Sequence, residues 1–148
     1  MAVGSTGMTD AIAATPAANG PDALGSIDWT RYFDYEEQTR LLQQIAATYP
    51  DLVRLSSIGQ SHQGRELWLA EVTDQESGPA SDKPAYYVDG NCHGEEVLGA
   101  QVALYTIVTL LTRHQEPWLA ELLATRTLYI IPSINPDGAE YSLKTPYH

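Results

Sequence analysis

A histidine and a glutamate three residues apart, His93 and Glu96, have a spacing suited to metal chemistry. They lie between an apolar, strand-like run at residues 85–88 and a helical pattern, so both side chains can face one point. Imidazole nitrogen and carboxylate oxygen are ligands that suit zinc. The carboxyl end of a strand in an α/β sheet is also where ligands commonly bind. The pair is therefore compatible with a zinc site, but the spacing of His93 and Glu96 alone does not favour that interpretation over a structural one.

The alternative interpretation of this pair is structural. A surface histidine would then lie beside Glu96, an acid in the first turn of a helix that the helix dipole stabilises. We interpret Glu95 in the same way, as an acid at the start of the helix. The remaining histidines are His62 in a loop, His114 near a helix end and His148 at the last position. We expect none of these three to be a native metal ligand.

The composition excludes several classes of partner. The chain has 148 residues, and 8 Lys and Arg against 19 Asp and Glu give a net charge of −11. This charge repels nucleic acid and anionic membrane surfaces, so we expect neither as a partner. The single cysteine, Cys92, excludes an internal disulfide framework and a cysteine-based zinc site. No apolar run approaches the roughly 18 residues of a membrane span.

The N-terminal residues 1–25 are rich in Ala, Gly, Pro and Thr. They lack the basic opening and the long apolar run of a signal peptide. We therefore expect a flexible tail over residues 1–25, followed by a single domain over residues 26–148. A cytoplasmic location follows from this interpretation, or a secreted one if the true N-terminus is missing.

The pattern of apolar residues predicts a fold of class α/β. Asp34 and Glu37 are typical of a helix start, and Pro50 ends that helix. The predicted elements are a helix from Asp34 to about Tyr49, strands over residues 52–58, 66–72, 85–88 and 127–131, helices over residues 95–113 and 117–124, and a turn over residues 135–138. Strand, helix and strand in succession indicate a βαβ crossover. We therefore expect a mixed, partly parallel sheet flanked by helices.

Three separated segments of the chain resemble the zinc carboxypeptidase family, the carboxypeptidase A-like metallocarboxypeptidases. Residues 57–67, SIGQSHQGREL, are similar to the hairpin of that family. Residues 90–96, GNCHGEE, resemble its metal segment, and residues 134–138, INPDG, resemble a later strand-end turn. The order and the separation of the segments also agree, and the similarity extends from about Tyr32 to the end. Three motifs in order are more specific than the His–Glu pair alone.

The resemblance implies that the chain is the N-terminal part of a catalytic domain. His93 and Glu96 would be two of three protein ligands of Zn²⁺, while Arg65 and Glu66 would be structural. The third ligand, the glutamate that acts as general base and the arginines that bind the substrate would lie beyond residue 148. No HExxH motif offers another zinc peptidase site.

The implied function is that of a zinc metallocarboxypeptidase, which hydrolyses the C-terminal peptide bond of a peptide substrate. We expect the 148-residue chain alone to be inactive and to bind zinc weakly, because it carries only two of the ligands. Two alternatives stay open. One is a zinc deacylase on the same scaffold, and the other is a non-catalytic relic that acts as a binding module.

Overall fold

The computed structural model describes Leu24 and residues 26–145, in which helices surround a four-stranded sheet. In chain order the elements are α1 (Tyr35–Thr48), β1 (Val53–Gln60), β2 (Glu66–Val72), a short 3-10 helix (Ala80–Asp82), β3 (Ala85–Asp89), α2 (Val97–Thr112), α3 (Pro117–Thr125), β4 (Thr127–Ile131) and α4 (Pro136–Lys144). The bounds of β2 and β4 coincide with those predicted. The other predicted helices and strands are present with ends shifted by one or two residues.

The sheet is mixed, with strand order β1-β2-β4-β3. The hairpin strands β1 and β2 are antiparallel, and β2 is also antiparallel to β4. Strands β3 and β4 are parallel, with Ala85 opposite Thr127. The connection from β3 through α2 and α3 to β4 is therefore the predicted crossover, and the predicted fold class is confirmed.

Helix α1 begins where its capping residues predict. The Asp34 carboxylate accepts from the Glu37 N–H at 2.9 Å, and the Glu37 carboxylate accepts from the Asp34 N–H at 3.1 Å. This reciprocal capping box satisfies two amides that the helix itself leaves free. The helix ends at Thr48, with Tyr49 as its C-cap before Pro50, and its buried face consists of Gln38, Leu41, Leu42 and Ile45.

The core lies between the sheet and the helices, and α2 contributes most to it. Leu104, Ile107 and Leu111 of α2 have no exposed surface, and they belong to one cluster with Val72 and Ile130 of the sheet. Each such side chain stabilises the fold by about 1.5–3 kcal/mol. The core also includes Leu24, which lies within the predicted tail. The rest of that tail, residues 1–23 and 25, is outside the described residues.

The parallel strands β3 and β4 end side by side, and this brings two loops together. The Gly90 N–H donates to the Ile131 carbonyl at 3.0 Å, and the Ile134 N–H donates to the Gly90 carbonyl at 3.1 Å. The loop after β3 therefore leaves the sheet beside the loop after β4. This edge is where an α/β sheet commonly places a ligand.

Candidate metal centre

The metal-candidate loop, residues 90–96 between β3 and α2, is shaped by Asn91. This residue has φ 54°, in the left-handed region, and its side chain is buried. Its Nδ2 donates to the carbonyls of His93 and Gly94 at 2.9 and 3.2 Å, and its Oδ1 accepts from the Ser133 hydroxyl at 2.9 Å. The side chain of Asn91 therefore ties the backbone around His93 to the loop that follows β4.

His93 and Glu96 lie together in this loop. His93 Nδ1 and Glu96 Oε2 are 3.1 Å apart, and the two side chains are 71% and 61% exposed. The Glu96 N–H also donates to the His93 carbonyl at 3.1 Å, so Glu96 lies in a turn and α2 begins only at Val97. The predicted approach of these two side chains at the end of β3 is confirmed. Their role as metal ligands stays a prediction.

The two donor atoms fit a zinc ion. They are one imidazole nitrogen and one carboxylate oxygen, close together and open to solvent, and zinc accepts both types of ligand. A catalytic zinc commonly has three protein ligands and one position for water or substrate. Within Leu24 and residues 26–145, no group of three or more His, Cys, Asp or Glu side chains could hold a metal. A third ligand would have to come from elsewhere.

The other histidines lie away from the pair or outside the described residues. His62 is exposed in the loop between β1 and β2. His114 donates from Nδ1 to the Leu111 carbonyl at 2.7 Å, and its ring packs against Tyr49. His148 is not among the described residues. His62 and His114 thus have the surface and helix-end positions that the sequence predicts.

Residues 135–138 form the start of helix α4, so the predicted turn is wrong. Asn135 is the N-cap and its Oδ1 accepts from the Gly138 N–H at 3.1 Å, with Pro136 in the first turn. Gly138 also lacks the positive φ that some turns require. Asn135 as N-cap and Pro136 in the first turn suit a helix start as well as a turn. The helix also packs against Gly94 in the loop that carries His93.

Gly138 is required by close packing. A Cβ atom on Gly94 would lie 2.7 Å from the Cα of Gly138, and one on Gly138 would lie 2.8 Å from the Cα of Gly94. Any side chain at either position would collide with backbone, which cannot rotate away. The two glycines therefore let α4 lie directly against the residue that follows His93.

Asp137 connects this part of the structure to the hairpin loop between β1 and β2. Its carboxylate accepts from Arg65 Nη1 at 2.5 Å, from the Ser61 hydroxyl at 2.8 Å and from the Gln63 N–H at 2.9 Å. Burial raises the pKa of Asp137, but these three donors outweigh it and hold the pKa below its usual range. The sequence reasoning missed this contact because 72 positions separate Arg65 from Asp137.

Glu66 keeps its contacts within the hairpin. Its carboxylate accepts from the Ser57 hydroxyl and from Gln60 Nε2, the latter at 2.6 Å. These two hydrogen bonds lower the pKa of Glu66, and the bond from Ser57 has the larger effect. Arg65 and Glu66 thus make the kind of structural contact that the resemblance implies for them.

A model of the family described as "Zinc carboxypeptidase" matches residues 38–147. The chain belongs to the zinc carboxypeptidase family. The match contains all three segments that resemble the family in the sequence. It also contains His93, Glu96 and the Arg65–Asp137 contact.

Individual zinc carboxypeptidases are similar to the chain in sequence and in structure. It is 36% identical over 120 residues to a zinc carboxypeptidase of Saccharothrix mutabilis subsp. capreolus, covering 79% of this chain and 27% of the relative. It is 29% identical over 116 residues to carboxypeptidase B of Astacus astacus, covering 78% and 36%. The crystal structure of carboxypeptidase A from Helicoverpa armigera superposes with a TM-score of 0.71 and 25% identity, covering 82% and 29%.

The chain spans only about a quarter to a third of the length of these relatives. Within its described residues, it has no helix both long enough and apolar enough to cross a membrane. The relatives lend no support to the cytoplasmic location that the N-terminal composition predicts. The family and the fold of the chain are shown, whereas its zinc site and its activity are proposals.

Proposed function

We propose that this chain supplies part of the active site of a zinc-dependent metallocarboxypeptidase, with His93 and Glu96 as two of the protein ligands of Zn²⁺. The observation that supports the proposal is the 3.1 Å approach of His93 Nδ1 and Glu96 Oε2 at the carboxyl end of β3. The membership of the chain in the zinc carboxypeptidase family gives this approach its chemical meaning.

The chemistry of the proposal follows from the donor atoms. A zinc ion held by His93, Glu96 and a further ligand would supply Lewis-acid chemistry that activates water and polarises a substrate carbonyl. The task of this chain is to present His93 Nδ1 and Glu96 Oε2 in a fixed loop, which Asn91 holds by hydrogen bonds to the His93 and Gly94 carbonyls. The substrates would be peptides with a free C-terminal carboxylate.

We also propose that the 148-residue chain alone binds Zn²⁺ weakly and hydrolyses peptides poorly. Its described residues bring no third ligand to His93 and Glu96. The glutamate that the resemblance implies as general base would also lie outside this chain, and general acid–base catalysis by a positioned side chain contributes about 10²–10⁴-fold to a rate. Residues outside this chain, or a partner chain, would complete the site.

The test is an assay of C-terminal residue release from N-blocked dipeptides. It compares the 148-residue chain with a form extended to the next stop codon of its reading frame, each after chelation and again after zinc is added back. A parallel set of N-acylated single amino acids distinguishes a deacylase from a peptidase. His62→Ala is the matched control for His93→Ala, since His62 is exposed and belongs to another loop.

We expect the extended form to release C-terminal residues only with zinc, and His93→Ala to abolish the release while His62→Ala retains it. Hydrolysis that survives both chelation and His93→Ala would contradict the proposal. Robust, chelator-sensitive hydrolysis by the 148-residue chain itself would overturn the statement that it is incomplete. Zinc binding without any hydrolysis by the extended form would favour the non-catalytic alternative.

A further inference from the structure

The backbone on each side of His93 is held by the first turn of α4. Asn135 Nδ2 donates to the carbonyl of Cys92 at 3.1 Å, immediately before His93. Immediately after His93, Gly94 packs against Gly138 so closely that neither residue can carry a Cβ atom. A displacement of this turn would therefore move the backbone that aims the imidazole.

The same turn is attached to the hairpin loop by a carboxylate with three donors. Asp137 lies between Asn135 and Gly138, and it accepts hydrogen bonds from Arg65, Ser61 and the Gln63 N–H. Both side chains of the ion pair are largely withdrawn from solvent, with Arg65 24% and Asp137 17% exposed. Shielded, hydrogen-bonded pairs of this kind fix geometry better than exposed ion pairs, which are mobile and screened.

We propose that the Arg65–Asp137 ion pair is a positioning device for the proposed metal ligand His93. It fixes the first turn of α4 against the hairpin loop, and that turn holds the residues before and after His93. Neither Arg65 nor Asp137 touches metal or substrate in this arrangement, so both act through α4 and not as catalytic residues. The inference rests on the proposed metal-binding role of His93, and its test separates the two.

The perturbing variant is Asp137→Asn, which keeps the shape of the side chain. In Asp137, one carboxylate oxygen accepts from Arg65 and Ser61, and the other accepts from the Gln63 N–H. The asparagine side chain has only one acceptor oxygen, so Asp137→Asn must lose one of these two sets of hydrogen bonds. Arg65→Gln removes the positive charge of the ion pair. Arg65→Lys keeps this charge and should therefore retain part of the positioning effect. Outer groups that orient metal ligands affect metal affinity by about 10–100-fold. For Asp137→Asn we expect a loss of metal affinity near the lower end of this range, because Asp137 acts on His93 only through the backbone.

Two control variants separate positioning from stability. Asp34→Ala removes the hydrogen bond that caps α1 at Glu37 and destabilises the fold, whereas the hydrogen bond from the Tyr35 N–H to Glu140 of α4 does not involve the Asp34 side chain. Glu116→Gln removes a carboxylate that pairs with Arg113, beyond the far end of α2. The 16 residues of α2 place this pair about 24 Å from the metal-candidate loop.

The first measurement is calorimetric titration of Zn²⁺ into each folded, purified chain. We expect Asp137→Asn and Arg65→Gln to weaken binding by about tenfold, Arg65→Lys by less, and both control variants to bind like the wild type. Unchanged affinity in Asp137→Asn, or an equal loss in Asp34→Ala, would overturn the inference.

The second measurement needs no metal. Hydrogen exchange at the Glu96 amide measures how readily its hydrogen bond to the His93 carbonyl opens. In Asp137→Asn we expect this amide to exchange several-fold faster while amides of α3 keep their rates, and an unchanged Glu96 rate would overturn the inference. If neither the 148-residue chain nor the extended form binds zinc but Asp137→Asn loosens Glu96, the proposed function fails and the mechanical coupling stands.

Discussion

Replacement of Asn91 tests how the metal-candidate loop is held. The side chain makes two donor hydrogen bonds, to the carbonyls of His93 and Gly94, and accepts one from Ser133. Each hydrogen bond contributes about 0.5–1.5 kcal/mol net. In Asn91→Gly, water can replace the lost hydrogen bond to the carbonyl of exposed His93, and this reduces the total loss. We therefore expect Asn91→Gly to lower the free energy of unfolding by about 2–3 kcal/mol.

The backbone conformation of Asn91 adds a second, separable cost. Its φ of 54° suits Gly and Asn, whereas other residues pay about 1–2 kcal/mol in the left-handed region. Asn91→Ala loses the same hydrogen bonds as Asn91→Gly and also bears this strain, so it should be less stable than the glycine variant by about 1 kcal/mol. Asn91→Asp keeps the acceptor for Ser133 but turns a buried carboxylate oxygen towards the carbonyls of His93 and Gly94, so it should be less stable than Asn91→Gly.

Urea unfolding followed by circular dichroism measures all four proteins. A glycine variant within about 0.5 kcal/mol of the wild type would show that the three hydrogen bonds do not hold the loop, because the expected loss is several times larger. Equal stabilities of the glycine and alanine variants would refute the assigned left-handed strain.

Three further predictions concern the packing, capping and titration of the fold. Gly94→Ala should destabilise by about 1–3 kcal/mol, measured by urea unfolding, because its Cβ would lie 2.7 Å from the backbone of Gly138. Asp34→Ala should lower the free energy of unfolding by about 1 kcal/mol and increase hydrogen exchange in the first turn of α1, since the amide of Glu37 loses its acceptor. The folded-state pKa of Asp137 is lowered, so its stabilising contribution is present above the usual pKa of about 3.9 and is lost as pH falls through the folded value. Between pH 5 and 2, the wild type should therefore lose more stability than Asp137→Asn, and parallel curves would contradict this assignment.

An exposed apolar surface beside the site bears on the behaviour of the isolated chain. β3 lies at the edge of the sheet, with Tyr86 and Tyr87 70% and 58% exposed. Next to it, a depression of about 520 Å³ beside Glu96 is lined by Val88, Asp89, Leu98, Gly99, Val102, Ala103 and Thr106. Unpaired strand edges and apolar patches favour association. We expect analytical ultracentrifugation to show concentration-dependent self-association despite the charge of −11, and a monomer at all concentrations would contradict this.

Local chemistry made much of the fold predictable from the sequence. Asp34 and Glu37 set the start of α1, and Pro50 its end, because capping and proline geometry act within a few residues. The bounds of β2 and β4 followed from apolar, β-branched runs flanked by polar or turn residues. The approach of His93 and Glu96 was predictable because only three positions separate them.

The supports of the candidate site were not predictable in the same way. The contact of Arg65 with Asp137, and that of Gly94 with Gly138, join residues that are far apart in the chain. No periodicity or spacing encodes such contacts. The error at residues 135–138 has a local origin, since Asn135 and Pro136 suit the start of a helix as well as a turn.

The central claim is that His93 and Glu96 bind zinc, and one measurement tests it most directly. A two-bond proton–nitrogen correlation spectrum resolves both ring nitrogens of each histidine while Zn²⁺ is titrated into the chain. We expect the Nδ1 resonance of His93 to move towards the range of metal-bound nitrogen, and Glu96→Gln to weaken this response. A response confined to other histidines such as His62 or His114, or no response from His93 at saturating zinc, would contradict the account.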